Sequence, residues 1–182
     1  MSPAARPVSA RASVPPRIVL IGFMGAGKST VGSILAARLG YALVDTDVLI
    51  EERAGAPVAR IFTDEGEPAF RDREAAVLAE LSVRRGVVIA TGGGAPAQAR
   101  NRGFFSGDAA TFYLRVSLET ARKRARRDGT RPLLMQDEAA LEKLFAERVR
   151  IYEGIGVPVD AEGASPYEVT EKILSLLGRP RT

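Results

Sequence analysis

The chain of 182 residues contains no cysteine, no histidine and no tryptophan. The first two absences exclude disulfides, thiol nucleophiles, imidazole bases and the usual zinc ligands. Any general base must therefore be a carboxylate, a lysine or a water molecule. No apolar run approaches the roughly 20 residues needed to cross a bilayer, and no signal-peptide core follows the start. We expect a soluble, cytoplasmic protein without a membrane partner.

Acidic residues are absent from residues 1–44, which carry five basic residues. This one stretch accounts for the net charge of +4, because the rest of the chain is slightly negative. A basic excess confined to one end does not describe a nucleic-acid-binding face. We therefore expect no nucleic-acid partner.

Residues 1–16 are mainly proline, alanine, serine and arginine, a composition that predicts a disordered N-terminal extension. An acid-free start also resembles an organelle transit peptide, although this one is short and interrupted by prolines. Residues 17–178 are long enough for one domain with a full core and too short for two. We expect one domain.

The most informative segment is Gly22–Ser29, which reads GFMGAGKS and fits the phosphate-binding pattern G-x-x-x-x-G-K-[ST]. It follows an apolar run and precedes a helical pattern. Its glycines let the backbone form a nest of N–H groups aimed at phosphate oxygens, and the helix N-terminus adds partial positive charge. Lys28 would then reach the terminal phosphates, and Ser29 would offer its hydroxyl to Mg²⁺. The chain is predicted to bind a nucleoside triphosphate.

Apolar runs of strand length alternate with helical patterns along the rest of the chain. These runs are 17–21, 41–45, 87–91, 110–116 and 157–160. Strands separated by helices predict an α/β fold in three layers, with a five-stranded parallel sheet covered on both faces by helices. Ligands of such sheets bind at the carboxyl ends of the strands, where the remaining motifs lie.

Two carboxylates, Asp45 and Asp47, come at the end of the second strand. One is suited to hold Mg²⁺, and the other to orient an acceptor hydroxyl or to take its proton. The alternative is that Asp47 only caps the following helix. The third strand runs into Gly92–Gly94, where missing side chains let a ligand approach the main chain, unless the segment is a plain loop.

Two arginines have the sequence context of an anion clamp. Within 138–153, Arg148 falls on the apolar stripe of the helix and Arg150 lies toward its polar side. An inward guanidinium needs a partner, either a substrate carboxylate or an internal glutamate. Arg71 has Glu74 three residues on, close enough to orient its guanidinium, although a solvated helix pair is the alternative.

Residues 122–131 read RKRARRDGTR and lie between two helical patterns. We interpret 122–136 as a mobile lid whose closure excludes water and brings Arg131 onto the transferring phosphoryl group. A solvated charged helix end and an RNA contact are the alternatives.

Taken together, these segments closely resemble the shikimate kinase family. LIGFMGAGKST, DTD, IFTDEGEPAFRDRE, TGGG, RPLL and an arginine four residues before a tyrosine (Arg148 and Tyr152) occur in this order over about 17–177. The phosphate loop is shared with many unrelated nucleotide-binding enzymes, whereas DTD, G-E-x-x-F-R-x-x-E and GGG in combination are specific to this family. The resemblance implies a P-loop kinase domain over 17–178 that phosphorylates the 3-hydroxyl of shikimate with ATP and Mg²⁺.

The resemblance also implies a role for individual residues. It assigns Gly25, Ala26, Gly27, Lys28, Ser29 and Thr30 to ATP, Ser29 and Asp45 to Mg²⁺, and Asp47, Arg71, Gly93 and Arg148 to shikimate. Lys28, Asp47 and the lid arginine Arg131 are expected to act in catalysis, with Arg131 also on the nucleotide and Arg124 stacked on adenine. The segment 46–75 is expected to bind shikimate, and we expect a monomer.

Other readings of the same motifs predict other acceptors. A gluconate kinase or a nucleoside monophosphate kinase would use the same loop, and Arg71 with Arg148 also suits a second phosphate. DTD and GGG favour the ring acid. A GTP-driven switch would need Asn-Lys-x-Asp, which does not occur in the chain. A binding protein without turnover would have little use for Asp47 and a basic lid.

Overall fold

The structure, a computed structural model, describes residues 14–127 and 137–178. At its centre lies a five-stranded parallel sheet with the strand order β2-β3-β1-β4-β5. Its strands are β1 (Arg17–Ile21), β2 (Ala42–Asp45), β3 (Val87–Ala90), β4 (Ala109–Arg115) and β5 (Val157–Asp160). The predicted α/β fold and the parallel sheet are confirmed.

Helices flank the sheet and complete the three layers. In the described ranges they are α1 (Lys28–Leu39), α2 (Thr46–Ala54), α3 (Val58–Asp64), α4 (Gly66–Leu81), α5 (Leu118–Arg127), α6 (Glu138–Glu153) and α7 (Pro166–Leu176), with 3₁₀ turns at Ala95–Ala97 and Ala99–Phe105. Helix α1 packs on α7 and on β3, whereas α4 packs on α2 and α3. None of these helices is long and apolar enough to span a membrane.

The register of the three strands β1, β2 and β3 brings their carboxyl ends to one level. Leu20 in β1 and Asp45 in β2 both pair with Ala90 in β3. The chain segments that leave these strands therefore begin side by side. Buried residues fill β1 and β3 without alternation, because helices cover both faces of the sheet.

The N-terminal boundary of the folded domain lies earlier than the sequence predicts. The carbonyl oxygen of Pro16 accepts a hydrogen bond from Gly86 N at 2.7 Å, and that of Pro15 accepts one from the Tyr41 hydroxyl at 3.2 Å. Val14 packs against the core. These three residues, which their composition assigns to the extension 1–16, are thus part of the fold.

The segment interpreted as a lid begins within a helix. Residues 122–127 form the second half of α5, so this basic part is not a loop. Residues 128–136, with Arg131, lie outside the described residues. The lid itself therefore stays a prediction.

Helix α7 begins with a capping box that fixes the chain after β5. Ser165 Oγ accepts a hydrogen bond from Glu168 N at 3.3 Å, and the Glu168 carboxylate accepts one from Ser165 N at 2.7 Å. We expect Ser165→Ala to lower the free energy of unfolding by about 1 kcal/mol, since one amide at the helix end loses its acceptor. Urea denaturation measures this change. Ser175→Ala, at an exposed position of the same helix, is the control, and an equal loss in both variants would contradict the capping argument.

Candidate functional site

The phosphate loop depends on glycine at its turning points. Gly25 and Gly27 have φ values of 73° and 91°, in the region that side chains disfavour. A Cβ on Gly25 would also lie 2.4 Å from the carbonyl oxygen of Ala121. Lys28 folds back over the loop, where its Nζ donates to the carbonyl oxygens of Gly22 at 2.8 Å and Phe23 at 3.0 Å. The glycines and Lys28 together therefore fix the shape of the loop.

Asp45 performs two tasks at the end of β2. Its Oδ2 accepts a hydrogen bond from Ser29 Oγ, so the two predicted Mg²⁺ ligands are in contact. Its Oδ1 accepts from Asp47 N at 3.0 Å and from Val48 N at 3.4 Å, which makes Asp45 the N-cap of α2. The alternative that Asp47 is the cap is therefore wrong. A hydroxyl beside a carboxylate suits Mg²⁺, which keeps several waters and binds few protein groups.

The segment Gly92–Gly94 lies directly against the phosphate loop. A Cβ on Gly93 would lie 3.4 Å from the carbonyl oxygen of Gly22 and 3.8 Å from the amide nitrogen of Met24. The position is also 3.4 Å from the hydroxyl of Tyr152 in α6. The two glycine-rich turns therefore share one surface at the carboxyl edge of the sheet.

Arg71 is fixed over this segment by two carboxylates of its own helix. Its Nη1 lies 3.1 Å from Oε2 of Glu74, whose side chain is fully buried, and its Nη2 lies 2.9 Å from Oε1 of Glu67. A Cβ on Gly94 would lie 2.4 Å from Arg71 Nη1, so the guanidinium packs on the bare backbone. The predicted orientation of Arg71 by Glu74 is confirmed. The second contact, with Glu67, was not predicted.

Arg148 reaches the same glycine from α6. Its Nη1 donates to the carbonyl oxygen of Gly94 at 3.1 Å. Arg148 is half-buried whereas Arg150 is exposed, which confirms the helical phase read from the sequence. Two guanidinium groups from two helices, α4 and α6, thus converge on Gly94.

Asp47 lies at the opposite end of the glycine segment. A Cβ on Gly92 would lie 2.6 Å from Asp47 Oδ1 and 3.2 Å from Glu74 Oε1. Any side chain at position 92 would therefore displace the Asp47 carboxylate. The structure brings a carboxylate, two guanidinium groups and the phosphate loop together around three residues without side chains.

A groove of about 200 Å³ opens beside the phosphate loop. It is lined by Ala26, Gly27 and Thr30 on one side, by Arg124 of α5, and by the segment after β5 with Ala164 and Pro166. Arg124 Nη1 lies 4.0 Å from the position that a Cβ on Gly27 would take. Small apolar walls with one guanidinium suit a flat heteroaromatic ring.

Two buried hydroxyl groups at the glycine segment were missed by the sequence analysis. Thr46 Oγ1 accepts a hydrogen bond from Gly92 N at 3.0 Å, and the Tyr152 hydroxyl donates to the carbonyl oxygen of Gly93 at 2.7 Å. Both residues are fully buried. The sequence signals that could have identified them are their positions in the motifs. Thr46 lies between Asp45 and Asp47, and Tyr152 lies four residues after Arg148.

Burial shifts the proton equilibria of two groups here. Desolvation raises the pKa of Glu74, against the lowering effect of the Arg71 guanidinium. Burial likewise raises the pKa of Tyr152, so this hydroxyl keeps its proton and remains a donor.

In the described part of the chain, no group of three acidic side chains lies close enough together to hold a metal ion.

Comparison with known proteins identifies relatives of this chain. The family model for shikimate kinase matches residues 24–178. A shikimate kinase from Halorhodospira halophila is 45% identical over 170 residues, which is 91% of this chain and 96% of the relative. The solved structure of shikimate kinase from Acinetobacter baumannii in complex with shikimate has a TM-score of 0.84 and 41% identity, and the match covers 89% of this chain and 92% of that one. A gluconokinase from Sinorhizobium meliloti, with a TM-score of 0.59 and 24% identity over 91% and 93% of the two chains, shares the fold.

The raised pKa of Glu74 predicts a pH dependence of stability. Between the unfolded value of 4.5 and the higher folded value, the native state binds the proton more tightly, so the free energy of unfolding falls as the pH rises through this window. We expect Glu74→Gln to remove this part of the slope, as measured by urea denaturation from pH 4 upward. Glu67→Gln, on the exposed partner of Arg71, is the control and should keep the wild-type slope. An unchanged slope in Glu74→Gln would contradict the assignment.

Proposed function

The chain belongs to the shikimate kinase family, and we propose that its site transfers the terminal phosphoryl group of ATP to the 3-hydroxyl of shikimate. The products are shikimate 3-phosphate and ADP. One observation carries this proposal: Arg71 and Arg148 converge on Gly94, while Asp47 lies at Gly92 and the phosphate loop lies against Gly93.

The guanidinium pair supplies the site for the carboxylate of the acid. A guanidinium has five N–H donors in a planar fork. Arg71 makes four hydrogen bonds to Glu67 and Glu74, which leaves it one donor, whereas Arg148 makes one to Gly94 and keeps four. Bidentate capture of a carboxylate needs such a pre-oriented fork. Arg71 and Arg148 therefore hold shikimate by its carboxylate, which sets the direction of the ring.

The ring hydroxyls then extend along the glycine segment toward Asp47. Since Gly92 and Gly93 have no side chains, the ring can lie close to the main chain there. Asp47 accepts hydrogen bonds from the ring hydroxyls and accepts the proton of the attacking 3-hydroxyl, the part that aspartates take in other kinases. Gly93 contributes backbone contacts to the same substrate.

The phosphate loop binds and aligns the donor. The amide groups of Gly25 to Thr30 hold the phosphates, and Lys28 turns from the loop carbonyls toward the terminal phosphate when nucleotide is bound. Ser29 and Asp45 would hold Mg²⁺, which when bound neutralises charge on the phosphates. Arg124 stacks on adenine in the groove, and Arg131, which lies outside the described residues, keeps its expected role at the transferred phosphoryl group. Alignment and charge neutralisation account for most of the rate.

The acceptor can be identified by a turnover assay. We expect shikimate to stimulate ATP consumption, whereas gluconate, AMP and the absence of any acceptor leave it at background. Asp47→Asn should lower the shikimate-dependent rate by about 10²–10⁴-fold, because the hydroxyl loses its proton acceptor. Asp64→Asn, at an exposed acid of α3, is the control. If gluconate or AMP stimulates turnover and shikimate does not, the proposed substrate is wrong.

Arg148 and Arg150 lie on different sides of α6, so their substitution should affect substrate binding differently. We expect Arg148→Ala to weaken capture of shikimate by about 2–5 kcal/mol, since it removes one side of the carboxylate clamp. Arg150→Ala should have little effect because its side chain is exposed. The KM for shikimate in steady-state assays measures both changes, and equal losses would refute the clamp.

A further inference from the structure

The glycine segment between the two substrates is held by a hydrogen bond at each of its peptide groups. Thr46 Oγ1 accepts from Gly92 N at 3.0 Å, and the carbonyl oxygen of Gly92 accepts from Ala95 N at 3.1 Å. Two side chains of α6 bind the remaining carbonyl oxygens. The Tyr152 hydroxyl donates to Gly93 at 2.7 Å, and Arg148 donates to Gly94 at 3.1 Å. No peptide plane of the segment is left to rotate.

These hydrogen bonds also decide where the amide groups of the segment point. In a trans peptide the carbonyl oxygen and the next N–H point in opposite directions. The bond from Ala95 to Gly92 therefore sets the N–H of Gly93, and the bond from Tyr152 to Gly93 sets the N–H of Gly94. Within the described residues, neither of these two N–H groups has a hydrogen-bond partner in the protein. They are the donors that the segment leaves for a ligand.

The hydroxyl of Tyr152 is not explained by packing. The residue is fully buried and its ring lies 5.1 Å from the ring of Tyr113, a contact that phenylalanine would make equally well. A hydroxyl is taken out of water at a cost unless it is hydrogen-bonded, and its one bond in the described structure goes to Gly93. Thr46 is likewise fully buried, and its hydroxyl contacts the segment from α2.

We propose that Tyr152 and Thr46 are positioning residues, which hold the glycine segment from opposite sides so that the amides of Gly93 and Gly94 face the acceptor. The inference rests on the proposed function. Tyr152 lies one helical turn after Arg148, so a single face of α6 both binds the substrate carboxylate and fixes the backbone beside the ring. Loss of either hydroxyl frees a peptide plane in the acceptor site and leaves the nucleotide groove unchanged.

The test is a comparison of kinetic parameters for the two substrates. Tyr152→Phe removes one oxygen atom and keeps the ring. We expect its KM for shikimate to rise about tenfold, the effect of one buried hydrogen bond, while its KM for ATP stays within about twofold of wild type. Isothermal titration with shikimate should show the same loss of affinity. Tyr113→Phe is the matched control, since it removes the hydroxyl of the adjoining buried ring.

Thr46 provides a second pair of variants. Thr46→Val removes the acceptor of Gly92 N and should raise the KM for shikimate, whereas Thr46→Ser keeps a hydroxyl and should remain close to wild type. If thermal unfolding shows that Tyr152→Phe is poorly folded, the two Thr46 variants still test the proposal.

The outcomes separate the inference from the proposed function. If the wild-type protein does not phosphorylate shikimate, the proposed function fails and the inference fails with it. If it does, but Tyr152→Phe and Thr46→Val keep the wild-type KM for shikimate, only the inference is overturned. A similar increase of both KM values in a folded variant would also overturn it, because that result indicates a general structural role.

Discussion

The site depends on a contact between two stretches of bare backbone, the phosphate loop and the glycine segment. The position that a Cβ on Gly93 would take is 3.4 Å from the carbonyl oxygen of Gly22, so a side chain there would already touch the phosphate loop. The strand register creates this contact, because β1 and β3 end side by side. In the proposed function, the donor phosphates and the acceptor ring meet here without a side chain between them. Every other group of the site is arranged around this junction.

The local chemistry of the site could be predicted from the sequence. Three features depend only on residues close in the sequence, and periodicity or a motif predicts such features. They are the glycines of the phosphate loop, the inward position of Arg148 and the spacing of Arg71 and Glu74. The strands were recognisable for the same reason, since runs buried on both faces are continuous in sequence. The resemblance to a family joined these local signals into one site.

Contacts between distant segments could not be predicted in this way. The bonds from Tyr152 to Gly93 and from Thr46 to Gly92 join residues that are 59 and 46 positions apart, and no local pattern encodes such pairs. The cap of α2 is a local case that the sequence also left open, since Asp45 and Asp47 both suit the position and only the backbone geometry shows that Asp45 accepts from Asp47 N and Val48 N. Pro15 and Pro16 belong to the fold because Tyr41 and Gly86 lie beside them, although their composition is that of a disordered tail.

The positive charges of Arg71 and Arg148 at Gly94 are neutralised only in part. Arg71 alone would be a costly charge at a half-buried position, and Glu67 and Glu74 reduce that cost. Full neutralisation would in turn weaken the attraction for a carboxylate. Burial of Glu74 raises its pKa and so opposes its ionisation, whereas Glu67 is largely exposed and its charge is screened by water. Arg148, whose bond in the site goes to a neutral carbonyl oxygen, adds a second positive charge. The proposed function places the carboxylate of the acceptor at Gly94, beside this second positive charge.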